Sequence, residues 1–152
     1  MHKPNFIAAY LVDLHAKPEP LLLLLKRAPN THLEGIWQIV TGKVEPDENV
    51  LKALKREVLE ETGIEIHQAY NVNITLFYER TKDQIGYSAN FFVNLDHKEN
   101  ITLAPKEHSE HLWCTFAKAR ELLAFSTQKE TLLHLEEYYK DIKSNNASLL
   151  FL

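Results

Sequence analysis

A chain of 152 residues is of single-domain size, long enough to bury roughly two-thirds of its unfolded surface without a disulfide or structural metal. Hydrophobic residues at 45% and charged residues at 25% exclude a disordered chain, and the longest apolar run, Leu21 to Leu25, falls far short of the ~20 residues needed to span a bilayer. The net charge of −4, with lysines scattered, argues against duplex nucleic acid as the main partner; a single cysteine, Cys114, and no leader pattern over Met1 to Asn5 point to a reducing cytoplasm.

In chain order, Phe6 to Val12 and Leu21 to Lys26 read as strands buried on both faces, separated by a turn at Lys17-Pro18-Glu19-Pro20. Residues 28–32 are loop-like, and Ile36 to Val40 forms a short strand ending at Thr41-Gly42. A helix follows, with Asp47 or a neighbour as N-cap, Glu48 in the first turn, and Gly63 as the stop. Strands are expected over Ile64 to Ile66, Val72 to Arg80 and Ser88 to Leu95, with shorter ones at Ile101 to Leu103 and His111 to Phe116. Two helices, Ala117 to Phe125 and Thr127 to Lys143, close the domain over residues 1–146; Thr127 and Glu130 have the spacing of a capping box. The apolar tail, residues 147–152, is expected to dock on its own domain rather than on a second copy, and both a monomer and a homodimer stay open. Strands flanking one early helix and followed by two late ones imply an α/β protein of α+β type with a mixed sheet.

The chemistry concentrates in Gly42 to Ile64, GKVEPDENVLKALKREVLEETGI. Glu57, Glu60 and Glu61 fall at i, i+3 and i+4 of the helix, so the three carboxylates share an arc of about 100°. Clustered carboxylates repel, and hard oxygen ligands without cysteine select Mg²⁺ or Mn²⁺ over Zn²⁺. Val50, Leu51, Leu54 and Val58 adjoin that arc, which puts the acidic face at the edge of the buried one; Ala53, a turn before Glu57, keeps the floor open.

Those residues match a family pattern. G-x5-E-x7-R-E-U-x-E-E-x-G-U, with U aliphatic, is the Nudix box, and Gly42, Glu48, Arg56, Glu57, Val58, Glu60, Glu61, Gly63 and Ile64 meet every position. With seven fixed residues at roughly 6% usage each, a chance match is on the order of 10⁻⁹ to 10⁻⁸ per starting position. The chain therefore resembles a Nudix hydrolase, which implies an α/β/α sandwich and a loop–helix–loop holding Mg²⁺ against a diphosphate. By that resemblance Glu57, Glu60, Glu61 and Gly42 are metal-site residues, Arg56 and Glu48 are charged supports, and Gly63 terminates the helix.

A later segment, Glu107-His108-Ser109-Glu110-His111-Leu112-Trp113, resembles the Glu-His preceding a tryptophan in many Nudix chains. Glu107 matches better than Glu110 as the carboxylate that takes a proton from water, although a box glutamate is also used for this within the family. His108 and His111 read as structural or solvent-facing rather than as zinc ligands, and Cys114 as core. Val40-Thr41-Gly42-Lys43 departs from the common approach to the box and resembles the branch acting on dihydroneopterin triphosphate and dATP. The expected reaction releases pyrophosphate and a monophosphate. Open alternatives are another nucleoside diphosphate derivative, such as a dinucleoside polyphosphate or a sugar nucleotide, and a non-catalytic nucleotide-binding sensor. Arg27 is the candidate for phosphate, Trp37 for stacking on a base or pterin, and Thr41 and Lys43 complete the candidate substrate contacts.

Overall fold

The computed structural model of the protein describes residues 2–95 and 100–152. Among the described residues eight strands form one mixed sheet: β1 (Phe6–Asp13), β2 (Leu21–Arg27), β3 (Trp37–Gln38), β4 (Val40–Lys43), β5 (Gln68–Glu79), β6 (Gln84–Leu95), β7 (His108–Thr115) and β8 (Leu149–Phe151). Helix α1 (Val50–Thr62) covers one face, and α2 (Phe116–Leu122) with α3 (Ser126–Ser144) the other.

The period of two in β1 builds both cores. Ile7, Ala9 and Leu11 pack with Ala53, Leu54 and Val58 of α1, whereas Ala8, Tyr10 and Val12 pack with Phe116, Ala119, Leu132 and Leu135 of α2 and α3. Leu22 and Leu24 join the second core and Leu23 and Leu25 the first, so a strand buried on both sides reads as an unbroken leucine run.

One irregularity of the sheet positions the site. β1 pairs in parallel with β6 along its whole length, but its other edge is shared. β2 holds it only at Val12 and Asp13 and then leaves to pair with β3 and β7, while β4 takes over antiparallel at Phe6 to Ala9. The chain crosses this split at Gln38-Ile39-Val40, which is why the expected single strand is two short ones, and why pairing runs on through Thr41 and Gly42 to Lys43.

Several elements differ from expectation. Asn49, not Asp47, caps α1, its side chain accepting from the Lys52 N–H at 2.9 Å. Glu48 thus lies before the helix, not in its first turn, and is free to turn back toward Arg56. Gly63 ends α1 as expected, with φ of 75° and its N–H donating to the Leu59 carbonyl at 2.9 Å. Ile64 and Ile66 are buried without forming a strand, and Ile101 and Leu103 pack on the first core, likewise outside any strand. The Thr127–Glu130 box does not form, because α3 starts one residue earlier, with Phe125 at the cap position and no side-chain cap bond. The tail adds β8 to β5 through Gln68 to Tyr70, and Leu150 and Leu152 reach the first core. Among the described residues no helix is long and apolar enough to cross a membrane.

Candidate active site

The strand–helix geometry presses α1 against β4. At Gly42 a Cβ atom would lie 2.0 Å from the Glu57 carboxyl carbon, so the absence of a side chain there is what lets the carboxylate lie over the strand. Arg56 then holds the acidic residues in place. Its Nε and Nη2 donate to the two Glu48 oxygens at 2.7 and 2.8 Å, its Nη1 to Glu57 at 2.7 Å and Glu60 at 3.2 Å, and its Nη2 also to the Lys43 carbonyl at 3.0 Å. The planar guanidinium fork suits this many oxygens as an ammonium would not. The hydrogen bond from Arg56 brings the Glu48 carboxyl down to about 2.

The three box carboxylates sit in different surroundings. Glu60 is exposed, Glu57 is largely covered, and Glu61 is buried at 2% exposure. Burial pushes the Glu57 carboxyl above its ordinary value despite the Arg56 hydrogen bond. Glu61 is pushed well above its ordinary value, first by burial and then by the charges of Glu57 and Glu107. One Glu61 oxygen, Oε2, is buried with no hydrogen-bond partner. Carboxylates brought together this way, with an orphaned buried oxygen among them, form a donor set that a divalent cation satisfies.

β7 brings the later segment to the same place. Arg27 of β2 is the register partner of His108, and the Ala28 N–H donates to the Glu107 carbonyl at 2.8 Å. One ligand atom each from Glu61, Glu107 and His108 lies within 4.8 Å of the others. Glu107 is exposed, with Arg27 Nη1 3.9 Å from its carboxylate. Glu110 points instead to Lys26, at 2.8 Å. His108 is buried, and burial lowers its imidazole to about 4; His111 is exposed. Cys114 is buried and its thiol is pushed up to about 11, as suits a core residue.

A cavity of about 540 Å³ opens beside these groups, within the size range of small-molecule sites. Arg27, Thr41, Gly42 and Lys43 are among its lining residues. Phe6, Phe77, Tyr78 and Phe125 supply an aromatic wall, with Phe6 and Phe77 packed edge to face at 4.9 Å. Gly86 makes room for the Phe77 ring, since a Cβ there would lie 2.5 Å from it. Across the floor, Ser88 Oγ donates to Asn90 Oδ1 at 3.1 Å, and Asn90 Nδ2 donates to Asn73 and Thr75 at 2.7 and 3.1 Å.

Of the sequence candidates, Arg27, Thr41 and Lys43 line this cavity and Trp37 does not. Trp37 packs on the second core, bridges to Leu123 and carries Lys26 above its ring at 5.7 Å, because β3 turns its side chain away from the cavity. The aromatic wall went unanticipated: Phe6 and Phe77 sit in strands where aromatic residues usually signal packing.

A NUDIX domain model matches residues 1–135. Among curated proteins, the chain is 30% identical over 118 residues to an octanoyltransferase of Myxococcus xanthus, covering 76% of this chain and 32% of that protein. It is 48% identical over 44 residues to the CTP pyrophosphohydrolase of Escherichia coli strain K12, covering 29% of this chain and 33% of that protein. The chain thus spans about a third of the length of the curated relatives it matches. Among solved structures, the dihydroneopterin triphosphate pyrophosphohydrolase of E. coli superposes with a TM-score of 0.72 over 92% of this chain and 99% of that one, at 20% identity, a likeness of fold.

Two outcomes follow from this geometry. Gly42→Ala drives the Glu57 carboxylate off its seat, and displacement by about 1 Å costs roughly 10²-fold in turnover; a folded variant with the parent rate contradicts the placement. Because its folded-state value is depressed, Glu48 contributes stability that is fully present above the ordinary 4.5 and is lost as pH falls through about 2. Urea midpoints of the parent and Glu48→Gln therefore differ at pH 7 and converge below pH 4.5; a constant gap contradicts the pairing.

Proposed function

The chain belongs to the Nudix family, hydrolases acting on phosphorus-containing anhydrides, and on that premise we propose that it is a metal-dependent pyrophosphohydrolase releasing pyrophosphate and a monophosphate from a nucleoside-triphosphate-like substrate. The observation that carries this reading is the complete box, with every carboxylate present, whose Gly42 lines an aromatic-walled cavity and backs onto the Glu57 carboxylate. Glu57, Glu60 and Glu61 are the residues that would hold Mg²⁺ or Mn²⁺. Such a cation, when bound, supplies Lewis acidity to the phosphate oxygens and lowers the pKa of a bound water.

The protein's own groups do the rest. Arg27, about one-fifth exposed in the cavity lining, offers a planar donor fork to phosphate oxygens. Lys43 lies 3.7 Å from the buried Glu79 carboxylate and above the Phe6 ring at 5.9 Å, so its charge is anchored beside the aromatic wall. A flat heterocycle stacks on Phe6 or Phe77, a contact worth about 0.5–1.5 kcal/mol beyond the area it buries. Glu107, exposed and beside Arg27, is the carboxylate we assign to accept the proton from the attacking water.

The cavity's aromatic wall and the E. coli dihydroneopterin triphosphate pyrophosphohydrolase that shares its fold support a pterin or purine deoxynucleoside triphosphate, with dihydroneopterin triphosphate and dATP the leading choices. Intact box carboxylates favour catalysis over a binding-only role. A pyrophosphate-release screen over nucleoside triphosphates, dihydroneopterin triphosphate, sugar nucleotides and dinucleoside polyphosphates is expected to give its highest rate on one of those two triphosphates, and only with Mg²⁺ or Mn²⁺ present. In the same assay Glu107→Gln lowers kcat by at least about 10² with KM little changed; an unchanged kcat removes Glu107 from the role.

A further inference from the structure

His108 is a buried imidazole that the phosphoanhydride chemistry described above does not use. Its Nε2 lies 3.9 Å from Glu61 Oε2, the oxygen left without a partner. That gap is too long for a hydrogen bond. It falls within the range that two ligands of one octahedral cation cover: with bonds of roughly 2.1 Å, ligand atoms stand roughly 3.0 Å apart when cis and 4.2 Å when trans, and a shift of a few tenths of an ångström reaches the latter.

The other contact of this nitrogen is weak. Gln38 Nε2 approaches it at 3.4 Å, near the limit for a hydrogen bond, and so is readily exchanged for a stronger bond. Both groups are fixed. Glu61 is held by burial in α1 one turn from Glu57, and His108 by the start of β7, where it pairs in register with Arg27. Glu107 lies on the open side, its carboxylate within 4.8 Å of both.

We propose that His108 Nε2 and Glu61 Oε2 together ligate one divalent cation, giving this site a nitrogen donor and a preference for first-row transition ions, Co²⁺ more than Mn²⁺, over Mg²⁺. This rests on the reading of Glu61 as a metal-site carboxylate and adds the histidine to it. Imidazole is a softer ligand than carboxylate or water, so a mixed pair retains transition ions that an all-oxygen pair releases in favour of abundant Mg²⁺. The structure buries His108, consistent with the structural reading, and the proposal adds a ligand role to it.

The test uses the full chain with Mn²⁺ as the probe. Electron spin-echo envelope modulation of the Mn²⁺-loaded parent shows coupling to a directly bound ¹⁴N; that coupling disappears in His108→Asn and persists in His111→Asn. Mn²⁺ affinity falls about tenfold in His108→Asn while Mg²⁺ affinity changes less than twofold. Bound Mn²⁺ with no ¹⁴N coupling in the parent overturns the proposal and leaves the metal-dependent hydrolase standing. Failure to bind Mn²⁺ refutes the proposal, and failure to bind Mg²⁺ as well removes the metal-dependent hydrolase with it. The parent spectrum decides even where His108→Asn does not fold, and coupling that survives in a folded His108→Asn assigns the nitrogen elsewhere and refutes the proposal.

Discussion

Negative charge held at a partly buried seam is the constraint from which the rest of the site follows. Glu48, Glu57 and Glu60 all reach one guanidinium, that of Arg56, while Glu61 is sealed beneath them with one oxygen unsatisfied. A single positive charge does not balance four carboxylates, and burial raises both Glu57 and Glu61 above their ordinary values. Removing charges from water costs several kcal/mol per ion unless partners offset it. A fold does not carry that cost for stability; the arrangement has a purpose when a cation completes it.

The sheet accommodates the seam through its split edge. Because β2 leaves β1 after two paired residues, β4 inserts beside β1 and brings Gly42 under α1. The same split leaves Arg27, Gln38 and Thr41, each on a different strand, lining the cavity. The carboxylate seam and the aromatic side are thus joined by one strand: Thr41 and Gly42 touch the seam, and Lys43 reaches Phe6 and Glu79 at the aromatic side.

What could be read from the sequence was what local periodicity controls. The helix over Val50–Thr62, its stop at Gly63 and the shared face of the box glutamates follow from spacing and from one residue free to take a positive φ. Features set by tertiary contacts were hidden. Asn49 and Asp47 are equally good caps in isolation, and the choice between them depends on Glu48 turning back to Arg56 eight residues on. Ile64 and Ile66 have the composition of a strand but find burial without a pairing partner. Trp37 reads as a stacking platform until the direction of a two-residue strand places it against the second core. His108 and His111 look alike in the sequence, and only the approach of β7 to α1 distinguishes them.

Uptake of a divalent cation by the seam is the central requirement of this site. Thermal unfolding of the parent protein as Mn²⁺ is raised tests it directly, since an ion bound only by the folded state stabilises it by about 2.7 kcal/mol at a hundred times its dissociation constant. For a chain of this size that is a rise in Tm of roughly 5 to 10 °C. The expected result is such a rise, saturating with Mn²⁺ and much reduced in Glu61→Gln. A melting temperature indifferent to Mn²⁺ up to millimolar concentrations would contradict a metal-dependent seam.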